Sequence, residues 1–115
     1  MSVKDFVYIP SKGVLFVLLA ETRIASKIGS FLSSIAKTQE VSSVIAYKEE
    51  GEGSFEFTKL WQYNLSNEGC MLTWDHGLTI LAIGHVNGLI ECIRVSTELE
   101  YSRYTSVRIF ESDLK

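Results

Sequence analysis

The chain has 115 residues, enough for one domain or part of one at ~100–200 residues each. Eleven Lys and Arg stand against fourteen Asp and Glu, a formal charge of −3, so no basic face for duplex nucleic acid is expected. With 46% hydrophobic and 22% charged residues, the composition is that of a globular chain and excludes wholesale disorder.

The first predicted strand is Phe6 to Ile9, a run of β-formers stopped by Pro10. Pro10-Ser11-Lys12-Gly13 is a turn signal. Val14 to Ala20 reads as a buried strand. Its apolar run, Gly13 to Ala20, falls short of the ~20 residues that span a bilayer. It follows Asp5 and Pro10 rather than a basic stretch, so no signal peptide is expected. Glu21 and Thr22 are expected to reverse the chain into a third strand, Arg23 to Ile28.

Ser30 to Gly53 carries no regular pattern and is read as a flexible insertion. Within it, Lys48 to Ser54 is charged, rich in glycine and free of large apolar side chains, the mark of a solvated loop. Phe55 to Tyr63 follows as a strand with aromatic anchors.

The last third has the cleanest pattern. Cys70 to Trp74 is a short β-like run, Asp75-His76-Gly77 a turn, and Leu78 to Ile83 a strongly apolar strand. Gly84 to Gly88 is a second turn, whose Asn87-Gly88 pair suits the left-handed positions of a hairpin. Leu89 to Val95 is the next strand, with Leu89, Glu91, Ile93 and Val95 on one face. Ser96 to Tyr101 is a polar connection, and Thr105 to Phe110 a final strand.

Each end of the chain therefore holds a short strand, a turn, a very apolar strand, a tight turn and a third strand, with an outer strand after a longer connection. Such self-similarity marks a repeat fold. Trp74 to Gly84 resembles the passage between the first two strands of a WD-repeat β-propeller blade, and His85 to Val95 resembles the turn and third strand. Phe55 to Phe110 is similar to a blade of the WD-repeat and FYVE-domain family, and Tyr8 to Ile28 resembles the preceding blade. The resemblance implies an all-β fold of four-stranded antiparallel blades, one over about residues 1–65 and one over about 66–115. Ile93-Arg94 stands where the family has its Trp-Asp pair, and Asn87 where it has an Asp. No cysteine-rich zinc module of the FYVE type occurs, so its lipid binding does not carry over.

A rival pattern overlaps the first unit. Ile24, Ile28, Phe31, Leu32 and Ile35 follow helical spacing, opposite Ser26, Lys27, Ser30, Ser33 and Ser34. A helix over 24–35 would give a small α+β domain that binds a membrane surface or a partner groove.

Candidate chemistry is sparse. His76 and His85 lie in predicted turns; as a metal pair they would need a third ligand, with Asp75 the nearest candidate. A hydrolase working through them is the weakest reading. No GxSxG and no phosphate-binding loop is present. Cys70 and Cys92 sit apart in apolar runs and read as buried free thiols, which suits a reducing compartment. No catalytic residue, metal or cofactor is expected. The aromatic set Phe55, Phe57, Trp61 and Tyr63, with the turn residue His85, is the candidate partner-binding surface; blade packing is the alternative use of those aromatics.

The resemblance implies a non-enzymatic protein–protein interaction scaffold. It further implies a cytosolic setting, endosome-associated if the rest of the chain carries the lipid module. Two blades cannot close a ring of ~4–8, so further blades or other copies are expected to complete it.

Overall fold

The computed structural model describes residues 1–24 and 38–108. Eight strands follow one another: β1 Ser2–Ile9, β2 Val14–Ile24, β3 Thr38–Glu49, β4 Phe57–Asn64, β5 Gly69–Asp75, β6 Ile80–His85, β7 Leu89–Val95 and β8 Tyr101–Arg108. They form two four-stranded antiparallel sheets, each in sequence order, β1 to β4 and β5 to β8. The chain is all-β, and the described residues hold no helix. The α+β alternative finds no support. Of the stretch proposed to be helical, Ile24 ends β2 and the remainder lies outside the described residues.

Three expectations are corrected. Glu21 and Thr22 do not reverse the chain; they pair with Val41 and Glu40, and β2 runs on to Ile24. A continuing ladder satisfies their backbone groups without a turn. Thr38 to Glu49, inside the stretch read as an insertion, is a twelve-residue strand lying between β2 and β4. Flanked by β2 and β4, it keeps Ser42, Ser43, Val44, Ile45 and Ala46 all buried, so no alternation marks it. Finally, β8 begins at Tyr101 rather than Thr105, because Ser96 and Glu100 already close a turn through the Ser96 N–H and the Glu100 carbonyl, 2.8 Å apart.

The two sheets repeat each other in register. In each, the first strand pair is interrupted once, between Val3 and Asp5 and between Gly69 and Met71. In each, the last pair is interrupted at the same level, between Ala46 and Tyr47 and between Cys92 and Ile93. Bulges re-aim the residues beyond them. Leu60 is the extra residue of β4: Lys59 pairs with Tyr47 and Trp61 with Ala46, so Phe57 and Trp61 point to opposite faces.

The core lies between the sheets. Val14, Phe16, Leu18, Val44 and Ala46 of the first meet Leu72, Leu81, Ile83, Ile93 and Val95 of the second. Each such aliphatic or aromatic side chain contributes roughly 1.5–3 kcal/mol through burial. Phe16 stacks on Trp74 with ring centres 5.7 Å apart. Polar links cross the same seam. The Leu72 N–H donates to Asp5 Oδ2 at 2.8 Å, and the Gly69 N–H donates to Ser42 Oγ at 3.1 Å. Backbones approach most closely where β1 and β2 meet β5. Farther out the gap is filled by rings: Trp61 and Tyr63 both pack on Tyr101, at 4.6 and 5.3 Å.

Candidate functional site

The five sequence candidates divide into two groups. Trp61 and Tyr63 face the second sheet. The Trp61 indole N–H donates to the Leu99 carbonyl at 2.7 Å. The Tyr63 hydroxyl donates to Glu91, whose other carboxylate oxygen lies 3.3 Å from His85 Nε2. Burial, then that hydrogen bond, pushes the Tyr63 phenol up to about 12. His85 is therefore no exposed turn residue. It ends β6 with its side chain fully buried and braces β7 through Glu91, so it offers no surface to a partner. Its Nδ1 has no partner among the described residues. Glu91, which the sequence groups with the apolar Ile93 and Val95 on one face of β7, is the residue that joins Tyr63 to His85.

Phe55 and Phe57 lie on the other side. With Phe6, Tyr8 and Leu15 they line a shallow apolar hollow of about 230 Å³ on the open face of the first sheet. Tyr8 meets Phe57 edge to face, with ring centres 6.2 Å apart. Its hydroxyl donates to Glu49, which holds the Glu49 carboxyl below the usual range and raises the Tyr8 phenol. The Phe55 N–H donates to the second Glu49 oxygen at 3.0 Å, anchoring the β3–β4 turn.

The turns at one end of the molecule carry the backbone strain. Gly69 sits by Ser42 at the opposite end, and Trp74 stacks at the level of Phe16, so the two sheets point the same way. The β1–β2, β3–β4, β5–β6 and β7–β8 turns consequently gather together. Phe55, Thr79 and Leu99, at φ of 57°, 53° and 65°, all lie in these turns. Left-handed φ is uncommon for such side chains and is held only where surroundings over-determine it. Phe55 is 72% exposed, in the same turn as the acidic Glu50 and Glu52, and Leu78 of the β5–β6 turn is 59% exposed.

The alternative of a histidine pair does not assemble. His76 is exposed in the β5–β6 turn, within 3.4 Å of the Trp74 indole nitrogen, while His85 lies at the far end of β6. The two histidines therefore do not form a metal pair. No group of three His, Cys, Asp or Glu among the described residues is placed to hold a metal. Cys70 and Cys92 are free thiols; Cys92 is half-buried, and burial raises its thiol, but Cys70 is exposed rather than buried. No family model matches the chain, and no curated protein or solved structure matches it significantly.

Proposed function

We propose that the chain is a pair of blades of a WD-repeat-like β-propeller and works as a non-enzymatic interaction scaffold. The observation carrying this reading is the repeat itself. Two sheets of identical strand order, with bulges at matching levels, stack side by side in the same orientation. Repeats of this kind bury their cores on neighbours and present turns for binding. The partner-binding surface in this reading is the turn end, with Phe55 and Leu78 as exposed apolar anchors. Free thiols at Cys70 and Cys92 fit the cytosolic setting that the reading carries with it.

The test is site-specific photo-crosslinking in cells. Benzoylphenylalanine replaces Phe55 or Leu78 at the turn end, and Val86 at the opposite end serves as the control. A recurrent foreign protein captured from Phe55 and Leu78 but not from Val86 is the expected result. Identical capture from all three positions, or none from any, overturns the scaffold reading.

A further inference from the structure

Among the described residues both sheets leave a second face uncovered, and each of these faces carries apolar side chains beside polar ones. On the first sheet, Phe6 is 62% exposed, with Leu15, Val17 and Phe57 half-buried around it. On the second, Met71 and Val107 are 51% and 52% exposed, with Ala82, Ile90 and Cys92 half-buried. Exposed apolar side chains clustered on one face mark an interface.

The internal repeat tells what each face is shaped to meet. By register, Phe6, Tyr8, Leu15 and Phe57 hold the places in the first sheet that Leu72, Trp74, Leu81 and Tyr101 hold in the second. Those four residues of the second sheet are already engaged. Leu72 and Leu81 are in the shared core, Trp74 lies on Phe16, and Tyr101 lies on Trp61 and Tyr63. The face they contact has its own counterpart: Val14, Phe16, Val44, Ala46 and Tyr63 correspond to Ile80, Ala82, Ile90, Cys92 and Val107. The open face of the first sheet is therefore of the docking kind, and the open face of the second is of the receiving kind. Large rings on one and, apart from the stacked Arg94 and Tyr104, smaller side chains on the other allow the layers to interdigitate.

We infer that the open face of the first sheet seats the open face of the second sheet from another copy of this chain, repeating between molecules the stacking found within one. The contact is heterologous, head to tail, and closes only as a ring. The described residues of each copy contribute two sheets toward a closed ring of ~4–8 blades. The inference rests on the repeat reading above but not on any foreign partner.

Sedimentation equilibrium of the full chain tests it, at about 100 μM, where even weak association is populated. Phe6→Glu spoils the docking face and Val107→Glu the receiving face; both residues are exposed, so the intramolecular core is spared. The wild-type chain is expected above its monomer mass of 12.9 kDa, and each variant alone at that mass. An equimolar mixture of the two variants is expected to stop at a dimer, since one good interface remains. A monomeric wild type overturns the inference, as does a Val107→Glu chain that still self-associates, which would mean a face-to-face contact between identical patches. Amide exchange on the same samples separates the two readings. Protection across β2, β3, β6 and β7 in a monomer sinks the second copy alone, whereas loss of protection in either sheet sinks the repeat as well.

Discussion

Asp5 Oδ2 accepts the Leu72 N–H at 2.8 Å, fastening the first strand of one sheet to the first strand of the other. Asp5 stands next to its strand's irregularity and Leu72 two residues beyond its own. Lys4 bulges just before Asp5, and Cys70 just before Met71, so each bulge turns its strand toward the seam.

Removing this carboxylate orphans a backbone donor at the point of closest approach. Asp5→Ala is expected to cost about 1–3 kcal/mol, the penalty for an unpaired, part-buried N–H. Asp5→Asn keeps an acceptor and should lose less. Urea denaturation of both variants checks the order; equal losses would show that the acceptor atom is not what matters.

Phe16 touches rings of both sheets, Trp61 at 5.9 Å and Trp74 at 5.7 Å, and is fully buried. Phe16→Ala should cost roughly 3–5 kcal/mol and shift tryptophan emission to the red, because both indoles border the cavity. Phe6→Ala, on the open face, should change the stability of an isolated chain by less than about 0.5 kcal/mol. Thermal melts followed by fluorescence distinguish the two sites.

The legible parts of the fold were those with local signals. Gly77 and the Asn87-Gly88 pair bracket β6, and the β7 alternation groups Glu91, Ile93 and Val95 on one face, which the structure shows to be the buried one. The all-β class followed from such runs. What stayed hidden was non-local. β3 pairs with β2 across a long connection, and its buried Ser42 and Ser43 break the apolar pattern. The bulge at Leu60 reassigns Trp61 and Tyr63 to the core while Phe57 stays outside, although all three share parity in the sequence. Exposure of His85 was misjudged because its covering groups, Tyr63 and Glu91, come from other strands.

The bulge itself is testable. Deleting Leu60 restores unbroken alternation along β4. It forces either Phe57 or the Trp61–Tyr63 pair onto the wrong face. The deletion is expected to abolish the Trp61–Leu99 and Tyr63–Glu91 links and to destabilise the chain more than Leu60→Ala does, since Leu60 is 40% exposed. A deletion variant that melts like Leu60→Ala would show that the extra residue has no role in facing the sheets.

Tyr63 predicts an alkaline limit. Its phenol is raised from the ordinary 10.0 to about 12, so the folded state holds the proton more tightly than the unfolded one. The stability this contributes is fully present below pH 10 and is lost as pH rises through about 12. Absorbance at alkaline pH should show a late-ionising tyrosine that Tyr63→Phe removes. Stability of the Tyr63→Phe variant should then fall less steeply than that of the wild type between these limits.

Two glycines of the second sheet give the last contrast. A Cβ on Gly69 would sit 2.9 Å from Leu65 Cδ1 and 3.0 Å from Leu18 Cδ1, both in the buried core. A Cβ on Gly84 would sit closer still, 2.7 Å from Met71 Cγ. Distance alone ranks Gly84→Ala as worse, but the neighbours differ in freedom. Met71 is half exposed and unbranched, and can swing into solvent, whereas Leu18 and Leu65 are held between the sheets. Gly69→Ala is therefore expected to cost about 1–3 kcal/mol through overpacking, and Gly84→Ala less than about 1 kcal/mol. Gly84→Ala also alters the receiving face, so paired chemical melts and sedimentation should separate its effects. A stability loss for Gly84→Ala equal to that for Gly69→Ala would mean that Met71 is pinned, and that the open face of the second sheet is more rigid than its exposure implies.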